Sequence, residues 1–242
     1  LIPAANTTPG VLDLYFLLSS MLKKGIEDCV LEVSSHSLEQ GRVDTLLFDI
    51  AVFTNLTAEH MDYHGNTENY LASKIKLFDK IKNNGHAVVN IDDPASEKIV
   101  KKVMSEKKSR LITYGIDGKA DVSADGIEFS RRGLKFRLRT GEEQALINSR
   151  LIGRHNVYNI LAAAACGIAM GMSLKDICLA VADVVSLPGR MEKIDCGQDF
   201  LVFVDYAHTG NGLENALNAI REMDRGRILC VFGCGGNRDR AK

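Results

Sequence analysis

The order of secondary-structure signals constrains the fold of this chain more than any other feature, because strand-like and helix-like segments alternate through most of its 242 residues. Helices are predicted where apolar residues recur every three or four positions, and strands where short apolar runs are bounded by turn residues. The predicted elements are, in chain order, helix 9–24, strand 29–33, strand 50–55, helix 67–83, strand 87–91, helix 95–104, strand 111–114, helix 156–170 and helix 174–184. This order predicts an α/β fold with a doubly wound, mostly parallel sheet.

Two further segments extend this domain and begin a second one. Residues 121–147 contain short alternating runs such as GLKFRLRT, which predict a small antiparallel sheet. The Pro-Gly pair of SLPGR at 186–190 indicates a linker, after which FLVFVDYAH, a helix near 212–223 and ILCVFGCGG form a new β–α–β unit. We therefore predict a first domain over 1–187 and a partial, Rossmann-like α/β domain over 188–242, which ends before a doubly wound sheet is complete.

Composition excludes several classes of function. Apolar residues make up 45% and charged residues 25% of the chain, as in an average soluble globular protein. The net charge of −1 provides no basic face for nucleic acid, and no apolar run is long enough to span a bilayer. The N-terminus has no signal-peptide pattern, and six cysteines without a Cys-x-x-Cys pair predict reduced thiols in the core. We expect a cytoplasmic protein that binds neither nucleic acid nor a membrane.

The segment DCVLEVSSHSLEQGRV at 28–43 begins as a buried strand and ends in polar side chains. Glu32 lies inside the apolar run, and Ser34, Gln40 and Arg42 follow it. Polar groups are costly to bury unless they bind something. Because open α/β sheets bind ligands at the carboxyl ends of their strands, this segment predicts a binding site.

A second group of polar residues follows the next predicted strand, in the sequence TNLTAEHMDYHG. Glu59, His60, Asp62 and His64 carry the oxygen and imidazole donors of a metal site. A solvated polar loop explains the same residues, so both interpretations stay open. A metal-dependent hydrolase built on these four residues and Lys74 is one function that the loop allows.

Lys74 lies in the middle of the apolar stripe of the helix predicted at 67–83. At about 100° per residue, Tyr70 and Phe78 fall on the same side of that helix. A bare ammonium is costly in such a position. The side chain can reach solvent along its aliphatic stem, pair with an acid such as Glu32, or react with CO₂ to give a carbamate, an anionic oxygen ligand for a hard metal ion. The residues alone do not choose among these three.

Three later segments predict further binding contacts, the first with a nucleotide base and the third with an anion. GRHNVYN places His155, Asn156 and Asn159 at the start of the long helix, although helix capping explains Asn156 as well. VDYAHTG ends a predicted strand with Asp205 and His208. FGCGGNRDR has the pattern of an anion-facing turn after a strand, but it is not a Walker A loop.

Together, the segments NTTPG, LEVSSHSLEQGRV, FTNLTAEHMDYHG, YLASKIKLF, GRHNVYNILAA, LPGRME, VDYAHT and VFGCGGNRDR resemble the Mur ligases of peptidoglycan synthesis. Their order and spacing match over nearly the whole chain. Within the family, EVSSH with Gln40 and Arg42 resembles the members that add the third amino acid, a diamino acid, to UDP-N-acetylmuramoyl-L-alanyl-D-glutamate. The resemblance implies ATP-dependent ligation through an acyl phosphate, with Mg²⁺ to neutralise crowded phosphate and carboxylate oxygens. A ligase similar to folylpolyglutamate synthetase is the related alternative.

The resemblance also implies roles for individual residues. Glu32 and His60 match magnesium ligands, Lys74 matches a lysine that the family carries as a carbamate, and these three are the expected catalytic residues. The residues expected to hold the muramoyl-peptide substrate are Asn6, Thr7, Thr8, Ser34, Gln40 and Arg42. The residues expected to bind ATP are His155, Asn156, Asn159, Arg190, Asp205 and His208.

The chain departs from the family pattern in several places. The family's uridine-binding domain and phosphate-binding loop precede NTTPG, the segment that selects the incoming amino acid follows GCGGNRDRAK, and none of them is among these residues. We therefore expect this chain alone, a monomer, not to turn over ATP, and its residues do not distinguish meso-diaminopimelate from L-lysine. Gly210 and Asn211 stand where the family commonly has Pro-Asp, and Asn237 where it often has Asp. A non-catalytic remnant that binds the nucleotide sugar stays open as a further alternative.

Overall fold

The structure, a computed structural model, describes residues 6–57, 60–117, 119–185 and 187–233. Its helices are α1 (Val11–Lys23), α2 (Ser35–Glu39), α3 (Met61–His64), α4 (Thr67–Asp79), α5 (Ser96–Glu106), α6 (Arg154–Ala169), α7 (Leu174–Asp183) and α8 (Gly210–Met223). Its strands are β1 (Phe48–Phe53), β2 (Ile81–Asn90), β3 (Arg110–Gly115), β4 (Val122–Ser130), β5 (Gly133–Thr140), β6 (Glu143–Ser149), β7 (Glu192–Ile194) and β8 (Val202–Val204).

Six strands form one sheet in the order β1-β2-β3-β4-β5-β6, and β7 and β8 form a second, two-stranded antiparallel sheet. The first strands run parallel: Phe48 N–H donates to Lys80 O at the start of β1 and β2, and Ile91 N–H donates to Tyr114 O at the ends of β2 and β3, each at 2.9 Å. β4 continues the parallel order, whereas β5 and β6 pair antiparallel. The predicted α/β fold class is confirmed, and the antiparallel strands expected at 121–147 join the main sheet.

The chain divides into two compact units. The first contains residues 1–51, 58–87 and 98–110, and the second contains 52–57, 88–97 and 111–242. In the second unit, β5 buries Leu134, Phe136 and Leu138 on one face, while the residues between them are exposed. This period of two is the alternation that predicted the strand. α6 contributes fully buried residues such as Val157 and Leu161.

The first unit contains a hydrophobic cluster around Leu14, Leu38 and Val43, each at most 4% exposed. Leu31 and Val33 pack against this core. Removal of apolar surface of this kind from water contributes about 25 cal/mol per Å². The segment that carries Glu32 is therefore attached to the first unit by its apolar neighbours.

The prediction of a strand at 29–33 is wrong, since residues 26–34 adopt no helix or strand. The Glu32 carbonyl and the Ser34 N–H, which a neighbouring strand would bond, are bonded instead to the side-chain oxygen of Thr8. A strand at 228–233 is likewise not formed, and Val231 is 101% exposed there, so nothing packs on its side chain. The anion-facing turn predicted from Cys234 onward lies outside the described residues.

Two other expectations need correction. The helix predicted to reach residue 83 ends at Asp79, and β2 already begins at Ile81. The Lys80 carbonyl already accepts the Phe48 N–H at the start of β1. Gly85 then lets the chain pass close to β1, since a Cβ there would lie 2.6 Å from the Asp49 carbonyl oxygen. The five cysteines in the described part of the chain are free thiols, as predicted, but each is exposed or half-buried rather than a core residue.

No helix in the described ranges has the length and apolar character needed to cross a membrane.

Candidate functional site

Four of the predicted substrate residues meet around Thr8, which has 0% exposure. The Thr8 hydroxyl donates to Glu32 O at 2.8 Å and accepts the Ser34 N–H at 3.0 Å. The Arg42 guanidinium donates to Thr8 O at 2.8 Å and also to Gln40 Oε1. Residues far apart in sequence are thus held in one network, which we call the Thr8 cluster (Thr8, Ser34, Gln40 and Arg42).

Local capping explains why the chain turns at the Thr8 cluster. Ser34 is the N-cap of α2, and its hydroxyl accepts the Ser37 N–H at 3.2 Å. Serine is favoured at this position because its oxygen satisfies a helix N–H that has no partner within the helix. The predicted substrate residues Asn6 and Thr7 precede the cluster and are exposed.

A group of rings surrounds the buried Tyr70 in the first unit. His64 stacks on Tyr70 with ring centroids 5.0 Å apart, and His60 meets the edge of the same ring at 6.1 Å. His36 lies 4.8 Å from His60 and 4.1 Å from Tyr63. We call these five residues the aromatic cluster (His36, His60, Tyr63, His64 and Tyr70).

His60 holds an unusual backbone conformation within this cluster. Its φ of 59° lies in the left-handed region, which costs energy for a residue with a Cβ. The residue is the N-cap of α3, and its carbonyl accepts the N–H groups of Tyr63 and His64 at 3.1 and 3.0 Å. Because the side chain of His60 is exposed, its imidazole is accessible to a ligand.

Lys74 lies one helical turn beyond Tyr70, and its Nζ is 5.0 Å from the centroid of that ring. A cation over an aromatic face gains about 0.5–2 kcal/mol, depending on how far water is excluded. The half-buried ammonium therefore has a favourable contact inside the apolar stripe of α4. His60 and Lys74, both expected to be magnesium ligands, thus lie against the Tyr70 ring.

Ser35 connects the aromatic cluster to the Thr8 cluster. Its hydroxyl is 3.0 Å from His64 Nε2, and its carbonyl accepts the Ser73 hydroxyl at 2.9 Å. Burial lowers the pKa of His64, an effect that the Glu39 carboxylate opposes. Burial also lowers the pKa of His36, with the nearby His60 and His64 acting in the same direction.

A carbamate on Lys74 would add a hard oxygen donor of the kind that Mg²⁺ prefers. Among the residues that the structure describes, no group of three or more His, Cys, Asp or Glu side chains could hold a metal ion. An exposed carboxylate on Glu32, the His60 imidazole and a carbamate on Lys74 would supply mostly hard oxygen donors, with water and substrate phosphates filling the remaining positions. Glu59, which the hydrolase alternative requires, lies outside the described residues.

The second unit brings the first three predicted nucleotide residues together at the start of α6. Asn156 donates to Ile152 O at 2.8 Å, and Asn159 donates to Asn156 Oδ1 at 3.0 Å. His155 Nε2 lies 3.1 Å from the Asn156 amide nitrogen. Burial lowers the pKa of His155, and the charge of Asp205 partly offsets this.

The other three predicted nucleotide residues, also in the second unit, lie around β7 and β8. Asp205 accepts the N–H of Met191 at 2.7 Å, which fixes its carboxylate beside the residue that follows Arg190. The Arg190 guanidinium lies 4.7 Å from the centroid of the Tyr206 ring, and His208 meets the edge of that ring at 5.0 Å. Arg190, Asp205 and His208 therefore form one polar surface.

Sequence reasoning missed several residues that organise these groups. Tyr70 was assigned only to the apolar stripe, although its spacing of four from Lys74 predicts contact on a helix. Asp92 follows β2 in the sequence NIDDP, and its carboxylate accepts the Tyr158 hydroxyl at 3.0 Å. The rule that singled out Glu32, polar residues at the carboxyl end of a strand, also applies to Asp92.

The chain is similar to known proteins over almost its whole length. Residues 2–167 match the family model described as Mur ligase middle domain, and residues 189–242 match the one described as Mur ligase, glutamate ligase domain. The UDP-N-acetylmuramoyl-L-alanyl-D-glutamate–2,6-diaminopimelate ligase of Geobacillus kaustophilus is 46% identical over 99% of this chain and 50% of its own length. The ligase of the same name from Syntrophomonas wolfei is 44% identical over 98% of this chain and 48% of its own length.

A solved structure has the same fold. The structure of a UDP-N-acetylmuramoyl-L-alanyl-D-glutamate–2,6-diaminopimelate ligase matches 96% of this chain and 47% of its own, with a TM-score of 0.79 and 33% identity. The chain spans about half the length of the relatives it matches. With a middle-domain match over most of its residues and a second match after it, this chain belongs to the Mur ligase family.

Proposed function

We propose that the complete protein containing this chain is an ATP-dependent ligase that joins a diamino acid to UDP-N-acetylmuramoyl-L-alanyl-D-glutamate in peptidoglycan synthesis. The observation that carries this proposal is the Thr8 cluster, which brings together the residues EVSSH, Gln40 and Arg42 that match ligases acting on this substrate. The relatives' names favour 2,6-diaminopimelate over L-lysine as the incoming amino acid. ATP and a UDP-linked sugar are cytoplasmic metabolites, so we expect the reaction in the cytoplasm.

The proposed reaction has two steps. First, the side-chain carboxylate of D-glutamate attacks the γ-phosphorus of ATP, so that a carboxyl–phosphate bond forms, the bond to ADP breaks and ADP leaves. Second, an amine of the diamino acid attacks the acyl carbon, and the tetrahedral intermediate expels inorganic phosphate and loses a proton to give the amide. The crowded negative charge in the first step has to be neutralised.

Residues of the first unit would orient the acceptor substrate. Arg42 is held by the Thr8 carbonyl and by Gln40, so its positive charge has a set direction toward an anionic substrate. A guanidinium fixed in this way recognises phosphate or carboxylate with less loss of side-chain entropy on binding. Ser34 and Thr8 would hold in place the chain segment that lines the same site.

We propose that Glu32, His60 and carbamoylated Lys74 would hold Mg²⁺. When bound, the metal supplies positive charge beside the phosphate and carboxylate oxygens. Tyr70 would keep the Lys74 stem and the His60 ring adjacent, since both side chains contact it. His155, Asn156 and Asn159 would contact the adenine and ribose, and Arg190, Asp205 and His208 would contact the nucleotide from the second predicted domain, 188–242.

A product assay on the complete protein tests the proposal. The protein is incubated with the UDP-muramoyl dipeptide, ATP, Mg²⁺ and either meso-diaminopimelate or L-lysine, while ADP release and product mass are measured. We expect a tripeptide product with diaminopimelate, at least ten times less with L-lysine, and one ADP per product. ADP release without a new amide bond, or no dependence on the muramoyl dipeptide, would contradict the proposal.

A further inference from the structure

The first two turns of α6 are hydrogen-bonded to two acidic residues outside the helix. Tyr158 donates its hydroxyl to Asp92 Oδ2 at 3.0 Å, and Arg154 donates to Asp117 Oδ1 at 2.8 Å. Arg154 and Tyr158 are four residues apart, so they lie on the same face of the helix, one above the other. Because the Arg154–Asp117 pair is exposed, the part-buried bond from Tyr158 to Asp92 is the main polar restraint on rotation of α6 about its axis.

Asp92 is itself held in place at the end of β2. Its Oδ2 accepts the N–H groups of Ile116 at 2.5 Å and of Asp117 at 3.0 Å, and its own N–H donates to Asn90 Oδ1 at 3.1 Å. At Gly115 a Cβ would lie 2.7 Å from Asp92 Oδ1, so only glycine allows the carboxylate to approach β3 this closely. The Asp92 carboxylate, which accepts the Tyr158 hydrogen bond, is therefore held in one position within the second unit.

The Tyr158 hydroxyl remains a proton donor at any physiological pH. Burial, followed by the charge of Asp92, raises the pKa of Tyr158 to about 12. A hydrogen bond from a neutral phenol to a carboxylate is roughly twice as strong as one between two neutral groups. The bond from Tyr158 to Asp92 is thus the stronger kind of restraint.

Rotation of α6 would redirect the residues proposed to bind the nucleotide. His155 and Asn159 share a face that lies about 100° around the helix from Arg154 and Tyr158. A hydrogen bond to a base weakens steeply once its angle falls below about 120°. A rotation of the helix that takes these bonds below that angle therefore weakens the contacts of this face.

We propose that Tyr158 and Asp92 are positioning residues for the nucleotide, because their hydrogen bond sets the rotation of α6 and with it the direction of His155 and Asn159. This inference rests on the proposed function, in which the start of α6 binds ATP. Neither residue needs to touch the nucleotide. Their contribution is the alignment of the residues that do.

The test uses Tyr158→Phe in the complete ligase, with calorimetric Kd for ADP and the steady-state KM for ATP as readouts. The substitution removes one oxygen and leaves the ring, so we expect Kd and KM to rise about tenfold while kcat stays within twofold. Tyr114→Phe is the matched control, since it removes the hydroxyl of a buried tyrosine in the same unit, one that donates to Phe53 O at 3.1 Å. We expect this control to lower thermal stability and to leave Kd within twofold.

The outcomes separate this inference from the proposed function. If Asn159→Ala weakens ADP binding but Tyr158→Phe does not, the positioning role is wrong and the nucleotide site stands. Equal weakening by Tyr158→Phe and Tyr114→Phe would indicate general loosening and would also overturn the role. If neither Asn159→Ala nor Tyr158→Phe has an effect, the proposed nucleotide site is wrong. Should Tyr158→Phe fail to fold, Asp92→Asn, which keeps the shape and removes the charge, is judged by the same criteria.

Discussion

At the scale of single residues, Thr8 holds the proposed substrate site together. Its buried hydroxyl uses both its donor and its acceptor capacity on the segment that carries Glu32 and Ser34. A backbone N–H or C=O that loses its partner inside a protein costs about 1–3 kcal/mol. The hydroxyl therefore substitutes for the strand pairing that this segment lacks.

Thr8→Val should destabilise the protein by about 2–4 kcal/mol, because valine has the same shape but leaves the Glu32 carbonyl and the Ser34 N–H without their partner. The free energy of unfolding in urea measures this. Thr8→Ser is the matched control, since it keeps the hydroxyl, and we expect it to cost less than half as much. Equal stability of the valine and serine variants would show that the hydrogen bonds do not hold the segment.

Lys74 is the residue whose chemistry most needs a direct test. In the complete ligase, Lys74→Ala should abolish ligation, and a short carboxylate such as acetate or propionate should restore part of the activity, because it supplies the missing oxygen donors. ¹³CO₂ with carbon NMR should show a carbamate signal in the unsubstituted protein and none in Lys74→Ala. Full activity of Lys74→Arg would exclude the carbamate, since a guanidinium does not form one under these conditions.

At the scale of elements, the end of β3 and the start of α6 act together. Gly115 ends β3, where Asp92 lies directly against its Cα, and Asp92 in turn bonds Tyr158 on α6. A Cβ at position 115 would collide with the Asp92 carboxylate. The close packing at the end of this strand thus positions the carboxylate that accepts the hydrogen bond from α6.

Gly115→Ala should lower the free energy of unfolding by about 1–3 kcal/mol, the usual cost of an inserted methyl group in a packed site. It should also raise the KM for ATP, because the methyl group would displace the Asp92 carboxylate. Gly210→Ala is the control: no atom lies within 4 Å of a Cβ there, so we expect no loss of stability. A Gly115→Ala protein as stable as Gly210→Ala would mean that Asp92 moves away without cost.

At the scale of the whole molecule, buried and half-buried histidines make stability depend on pH. Burial lowers the pKa of His36, His64, His86 and His155 from the ordinary value of 6.5. The unfolded chain therefore binds protons more readily than the folded chain. The stability that the folded chain has while these histidines are neutral is fully present above pH 6.5. It is lost as the pH falls from there through the folded-state pKa values.

The urea midpoint should therefore be constant between pH 7.5 and 7 and should decrease as the pH is lowered from 6.5 to 5. His155→Gln, which cannot take up a proton, should show a smaller decrease over the same range than the unsubstituted protein. The measurement is the slope of the urea midpoint against pH, compared between His155→Gln and the unsubstituted protein. Identical slopes would mean that His155 does not contribute to the acid sensitivity.

The sequence alone was sufficient for most of the elements and for the family. Caps and periodicity are local signals, so the start of α7 at Ser173, whose hydroxyl accepts the Asp176 N–H, was predictable to within a residue. The place of Lys74 on the apolar face of α4 followed from helical spacing. The strand predicted at 29–33 failed because an apolar run does not reveal whether a neighbouring strand takes its hydrogen bonds.

Only the tertiary structure decided which residues meet. Thr8 and Ser34 are 26 positions apart, and Asp92 and Tyr158 are 66 apart, so no local pattern relates them. Their contacts arise because packing brings strand ends, helix starts and loops to common points, and a buried polar group then bonds to whatever acceptor lies there. The sequence by itself therefore determined the elements and the chemical groups of the proposed site, and the folded chain determined their arrangement.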